Sequence, residues 1–285
     1  MTATLPGSGM DAWRSQSRKQ SYAASVPAPP GGNSPWARAY GLQIKQLIER
    51  HAARAPRSLQ VHLGPSELGI RCHRRVVGRM TAEPRTNHVS HIWPALIGTA
   101  VHAELAQALQ NENARIGKQR FLTELRVAPV PDHAGSTDAF DYYDGTLLDW
   151  KVLGPTSMAK VASADGPSYQ YKVQLLLYWL GALVAGLPVR RIALIALPRT
   201  AANLDGLYVW GHEPGPEDAE LVAEVLRVTA LRQQMAREIL ARRLTINDIP
   251  VTPGDECFLC PLFRPQAARD LGPGCPGTSI GQGSL

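Results

Sequence analysis

The stretch Gly135-Ser-Thr-Asp-Ala-Phe-Asp-Tyr-Tyr-Asp-Gly-Thr-Leu-Leu-Asp-Trp-Lys151 decides how this chain is read. Asp144-Gly145 is a strong two-residue hairpin signal, because both residues tolerate the backbone of a tight turn, and the aromatic and aliphatic runs on either side read as strands. Counted outward from that turn, Tyr143 faces Thr146, Asp141 faces Leu148, Phe140 faces Asp149 and Asp138 faces Lys151. Asp149 and Lys151 then share one sheet face, while Trp150 points to the other and leaves its carbonyl near the patch. Two carboxylates and one ammonium converge, and hard oxygen ligands of this kind suit Mg2+ or Mn2+. The lysine would orient or deprotonate an attacking water, or hold charge developing on a phosphate. A solvated hairpin with a cross-strand Asp–Lys pair is the alternative these residues leave open.

The flanking segments add polar groups at helical spacing. Gly98-Thr-Ala-Val-His102 lies in an apolar-periodic run over residues 93–109 that reads as a helix, with His102 on its buried side beside Leu105 and Ala106. A hydrogen-bonded core histidine is the bland reading of that residue. Downstream, a second helix opens at Gln170, and Gln174 and Tyr178 stand one turn apart on one face, where an amide and a phenol can hold a phosphate or order the lysine. The run 175–189 is uncharged but short and broken by Gly181, Gly186 and Pro188, so it reads as a core helix rather than a membrane span. Residues 121–127, with Glu124, read as a strand. Helices are expected over 36–54, 66–80 and 216–243, and strands over 191–197 and near 207–210. The class is α/β, a mixed central sheet flanked by helices.

The four cysteines are Cys72, Cys257, Cys260 and Cys275. They are too few for a disulfide scaffold in a chain of 285 residues, and the first residues carry no apolar segment of a secretory signal, so a reducing, cytoplasmic setting is expected. There a Cys-x-x-Cys is more often a metal or cluster site, and four thiolates complete a tetrahedral all-cysteine shell. One cysteine precedes the hairpin and three follow it, so a shared centre would clamp the two ends of the domain together. The gap from Cys260 to Cys275 is long and contains Pro261, Pro265 and Pro273; His73 is a reserve ligand.

Taken in order, Gly-x-x-Val-His, Gly-x-x-Asp, Asp-x-Lys and Gln-x-x-x-Tyr give the chain a pattern that resembles the RecB-like branch of the PD-(D/E)XK nuclease superfamily. The resemblance implies a restriction-endonuclease-like core in the order αβββαβ. It implies His102, Asp138 and Asp149 as metal ligands with the Trp150 carbonyl, Lys151 as the catalytic lysine, and Gln174 and Tyr178 as the family's Gln-x-x-x-Tyr. Glu124 falls where relatives often carry a glutamate before the hairpin, although an edge-strand glutamate needs no function. The cysteine layout resembles the iron–sulfur nucleases of that branch, including the CRISPR-associated and AddB-type enzymes, though the last gap exceeds their usual spacing. That implies a [4Fe–4S] cluster on Cys72, Cys257, Cys260 and Cys275, with Zn2+ as the structural alternative. The implied activity is that of a metal-dependent DNA exonuclease acting on single-stranded DNA or DNA ends, in recombination, phage DNA processing or CRISPR adaptation. A structure-specific endonuclease, or a catalytically idle DNA-binding or assembly subunit, are the alternatives.

Composition agrees with a polyanionic partner. Thirty Lys and Arg against 24 Asp and Glu leave a formal charge of +6, and Arg71, His73, Arg74, Arg75, Arg79, Arg190 and Arg191 are expected to supply positive surface. Tyr169 and Tyr171 are candidates for stacking on single-stranded bases, whereas core packing is the weightier reading of Trp179. Residues 1–35 are expected to form a disordered basic tail, 36–275 one nuclease domain, and 276–285 a flexible tail. The sequence has no Gly-x-x-x-x-Gly-Lys phosphate loop and so no signature of a built-in helicase motor. A homo-oligomer or a recombination partner is compatible with these features, and a membrane partner is not expected.

Overall fold

The hairpin forms, but its loop is Tyr142 to Gly145 rather than the Asp-Gly pair alone. Asp141 pairs with Thr146, Phe140 with Leu147 and Ala139 with Leu148. The cause is the Asp141 side chain. It accepts the N–H of Tyr143 at 3.0 Å and a two-pronged pair from Arg120 at 2.7–3.1 Å, so the turn begins at Asp141. Gly145, at φ 62°, takes the left-handed position that ends it. The slip from the expected register is two residues. An even slip keeps every side chain on its face, yet it moves Asp138 from Lys151 to the level of Asp149.

The computed structural model describes residues 34–54, 63–87, 92–254, 257–270 and 272–277. The expected tails lie outside these residues, apart from Ser34 and Pro35 at the start of a helix and the short piece Pro276 and Gly277. Helix α1 (Pro35–Ala53) belongs to a separate unit, in which Trp36 and Tyr40 stack with ring centroids 5.7 Å apart. The rest of the chain contributes α2 (Pro65–Leu68), α3 (His73–Met80), α4 (Ile92–Ile116), α5 (Pro155–Val161), α6 (Tyr169–Val184), α7 (Pro216–Leu240) and α8 (Ala267–Asp270). Its strands are β1 (Phe121–Val127), β2 (Gly135–Asp141), β3 (Thr146–Leu153), β4 (Arg191–Pro198) and β5 (Tyr208–His212). They form one sheet in the order β1-β2-β3-β4-β5, antiparallel except for the parallel β3–β4 pair.

That parallel pair requires a crossover, which α5 and α6 supply, and it requires cover on both faces. Residues 192–197 of β4 are accordingly all buried. On one face Val101 and Leu105 of α4 pack against Leu148, Trp150, Val152 and Ile195. On the other, Val173 and Leu177 of α6 join Leu147, Ile192 and Leu194 in the main core, with Val222 and Val225 of α7 behind them. Thus α6 is the expected core helix. Among the described residues no helix is long and apolar enough to cross a membrane.

The helix expected over 66–80 is two helices, and Cys72 lies between them as the N-cap of α3. Two long-range contacts break it. A Cβ at Gly69 would sit 3.0 Å from Gln170 Cα and Val173 Cβ, so the chain turns there to pass α6. The carbonyls of Leu68, Ile70 and Arg71 are then taken by the guanidinium of Arg232 on α7, at 3.2, 2.6 and 3.1 Å.

Close approach of α6 to the end of β1 sets a stability test. A Cβ at Gly181 would meet the backbone nitrogens of Ala128 and Pro129 at 3.0 Å, whereas one at Gly98 on α4 meets nothing within 4 Å. Gly181→Ala should destabilise by about 1–3 kcal/mol through overpacking. Gly98→Ala should stabilise by about 1 kcal/mol through helix propensity. Thermal or denaturant unfolding of the two variants checks both signs.

Candidate active site

Beyond Ala139 the β2–β3 ladder gives way to side-chain bonds. The Trp150 N–H donates to Asp138 Oδ2 at 2.6 Å, and Thr137 Oγ1 donates to the Leu148 carbonyl at 3.2 Å. Asp138 is therefore oriented by the backbone of the neighbouring strand. Its other oxygen, Oδ1, lies 2.9 Å from His102 Nδ1, which α4 brings in. Asp149 is only 3% exposed. Its Oδ1 accepts from Gln174 Nε2 at 3.0 Å, and that amide also reaches the Tyr178 hydroxyl at 3.4 Å. Its Oδ2 contacts the Lys151 ammonium as an ion pair without an aligned hydrogen bond. Lys151 Nζ in turn stands 5.3 Å from the centroid of the Tyr171 ring.

The structure thus gathers His102, Asp138, Asp149, Lys151, Gln174 and Tyr178 in one place. Trp150 contributes its N–H to Asp138. Glu124 is exposed on β1 with a left-handed φ of 51°. Among the described residues no three His, Cys, Asp or Glu side chains, the four cysteines included, stand around a common point close enough to hold a metal ion; at this site His102 is paired with Asp138 and Lys151 with Asp149. Tyr169 and Tyr171 pack against the core with cations over their faces, Arg71 at 4.4 Å and Lys151 at 5.3 Å, and Trp179 packs there too.

The donor set nonetheless fits a divalent cation. Burial pushes the Asp149 carboxyl above its ordinary pKa, and the nearby Asp138 charge adds to this, while Lys151 and His102 oppose it. Two carboxylates against one ammonium leave negative charge in a low-dielectric site, and Lys151 meets Asp149 Oδ2 without an aligned hydrogen bond. A cation would offset that charge.

The four cysteines line a second site, a cavity of about 290 Å³. All are free thiols. Cys72 caps α3, and Cys257 Sγ accepts the Gly254 N–H at 3.4 Å. The Pro-rich gap before Cys275 closes through a bridge to Phe263: the Cys275 N–H donates to the Leu262 carbonyl at 2.6 Å, and its carbonyl accepts from the Arg264 N–H at 2.8 Å. Asn87 ties the early segment to the late one by donating to the carbonyls of Phe258 and Cys260 at 2.7 and 3.0 Å. Burial raises the Cys260 thiol pKa against the opposing Leu262 backbone N–H and the Arg75 charge, and the neighbouring Cys72 and Cys275 add to the rise. His73 is half-buried, and burial and Arg232 together hold its imidazole below the usual value.

Two arginines depart from what the sequence suggests. Arg74, expected on the positive surface, is 6% exposed and lines the cavity. Arg232, which sequence reasoning missed, is 3% exposed. A signal for it exists: Val222, Val225, Thr229, Arg232 and Ala236 form the buried stripe of α7, which places an arginine at a core position.

A raised folded-state pKa on an acid favours its protonated form. Its contribution is present at low pH and is lost as pH rises through the elevated value. Metal-free protein should therefore lose stability from this group as pH climbs out of the acid range. Asp149→Asn should raise the melting temperature at neutral pH by a few degrees and flatten that slope, as read by thermal melts in chelator across pH.

No family model and no curated protein matches this chain. Among solved structures the chain is similar to the alkaline exonuclease LHK-Exo from Laribacter hongkongensis, at 13% identity and a TM-score of 0.44, covering 64% of this chain and 93% of that one. It is also similar to LHK-Exo in complex with dAMP, at 15% identity and a TM-score of 0.45 over the same shares.

Proposed function

We propose that this chain is a metal-dependent DNA exonuclease of the RecB-like PD-(D/E)XK type, acting on single-stranded DNA or DNA ends. The observation that carries the reading is the buried convergence of the His102–Asp138 and Asp149–Lys151 pairs, backed by Gln174 and Tyr178. In this reading His102, Asp138, Asp149 and the Trp150 carbonyl hold Mg2+ or Mn2+. The cation supplies Lewis acidity, lowering the pKa of water and neutralising charge on the phosphate. Lys151 would hold the phosphate charge or take a proton from the attacking water. Gln174 fixes the free rotation of Asp149 through Oδ1, and Tyr178 fixes Gln174. Exposed Arg71, Arg79 and Arg190 offer phosphate contacts.

The same reading places Cys72, Cys257, Cys260 and Cys275 around a metal centre, a [4Fe–4S] cluster with Zn2+ as the alternative. The support for this reading is that all four thiols line one cavity. Its role is to fasten residues 63–87 to residues 250–277 of a nuclease domain spanning 36–275. The setting is cytoplasmic, in recombination, phage DNA processing or CRISPR adaptation.

Lys151→Ala and Asp149→Ala should each reduce Mg2+- or Mn2+-dependent DNA degradation by about a thousandfold, as loss of transition-state stabilisation does, with the fold and DNA binding largely kept. Full cleavage by either variant overturns the assignment. A linear single strand should be consumed while a covalently closed circle of equal length resists; efficient cutting of the circle replaces the exonuclease with an endonuclease. Alanine in place of any one of the four cysteines should bleach the visible absorbance of protein purified without oxygen and lower its melting temperature. Zinc without iron or sulfide in that protein replaces the cluster with a zinc site.

A further inference from the structure

We propose that Arg74 and Arg232 are the built-in counter-charges of the four-cysteine site, positioning residues whose buried cations balance a doubly negative metal–tetrathiolate group. The inference rests on the metal-centre reading above and goes beyond it by naming the residues that make an anionic centre tolerable in the interior.

Both guanidiniums are protonated at any ordinary pH, and both are almost fully buried, at 6% and 3% exposure. Burying a charge is costly unless an opposite charge accompanies it. Among the described residues neither arginine forms an ion pair with a carboxylate. Their partners are carbonyl oxygens. Arg74 donates to Ile249 at 3.0 Å and Asn247 at 2.7 Å, while Arg232 donates to Leu68, Ile70 and Arg71. Carbonyls satisfy N–H groups but leave the positive charge in place. Each arginine also keeps one buried nitrogen without an acceptor, Nη1 of Arg74 and Nε of Arg232.

Asp248 is an exposed carboxylate near Arg74 but does not pair with it; the buried groups able to carry negative charge in this corner are the thiols. Arg74 lines the cavity with all four cysteines. Arg232 grips the three carbonyls that lead into Cys72. Four thiolates carry −4, and a [4Fe–4S]2+ core or a Zn2+ ion brings that to −2. Arg71 and Arg75 line the same cavity but keep contact with solvent, so the two buried guanidiniums are the cations that need an anion beside them. Four neutral thiols, or two disulfides, would leave two buried cations unbalanced.

The test uses full-length protein purified anaerobically, with Arg74→Gln, Arg74→Lys, Arg232→Gln and Arg232→Lys. Iron, sulfide and zinc per chain are measured, with the rate of metal loss to a chelator and, for an iron–sulfur centre, the midpoint potential. Each glutamine variant should lose metal at least tenfold faster than the parent and shift the potential negative, while each lysine variant stays close to the parent. If lysine and glutamine variants behave alike, whether both normal or both equally impaired, the arginines are carbonyl staples only and the inference fails while the metal centre stands. If the parent protein itself holds neither iron nor zinc, the metal-centre reading fails and takes this inference with it.

Discussion

The Asp149 carboxylate sits in the interior between one amide and one ammonium, and much of the architecture serves to keep those two donors in place. Gln174 can reach it only because α6 lies flat against the sheet, which the parallel β3–β4 pair and the close approach at Gly181 permit. Lys151 reaches it because both belong to β3 on one face, two residues apart. The burial that raises the Asp149 pKa is the same burial that makes every charge near it count, since Coulomb terms grow as the dielectric falls. A solvated hairpin carrying the same residues would have neither property.

Trp150 links the two faces of this arrangement. Its side chain packs beneath α4, and its N–H leaves the strand ladder to hold Asp138. The sheet gives up backbone pairing at that point, and side chains from Thr137 and Asp138 take over. The two carboxylates are therefore fixed by different means, one by backbone from the next strand and one by a helix side chain. A change in one helix need not disturb both.

Much of this was legible in the residues. The bounds of β1, the three-strand order, the core helix and the convergence of Asp138, Asp149 and Lys151 follow from local pattern, whereas the arrival of His102, Gln174 and Tyr178 at the same place was implied by the family resemblance. The errors arose where a distant side chain overrules local propensity. The Asp-Gly turn signal gave the wrong register because Asp141 is held by Arg120, twenty-one residues earlier in the chain. The helix over 66–80 reads as continuous until Gly69 meets Gln170 and Arg232 claims the freed carbonyls. Arg74 sits in a run of basic residues that looks solvated, and only the helix face it occupies turns it inward. The convergence of the four cysteines on one cavity was expected from their order, but the bridge that returns Cys275 to the others has no sequence signature.

The Arg232 contacts join residues 161 to 164 positions apart. Those of Arg74 and Asn87 span 171 to 175. Such contacts repay the entropy of closing a long loop only after the intervening sheet and helices are in place. The hairpins and the α6 packing are far more local. Assembly therefore has a natural order, with the sheet first and the cysteine corner last. Until that corner closes, the thiols and the two arginines stay exposed to solvent, where ionisation and charge cost little. Capture of a metal would then act as a latch on a chain whose sheet and flanking helices are already built.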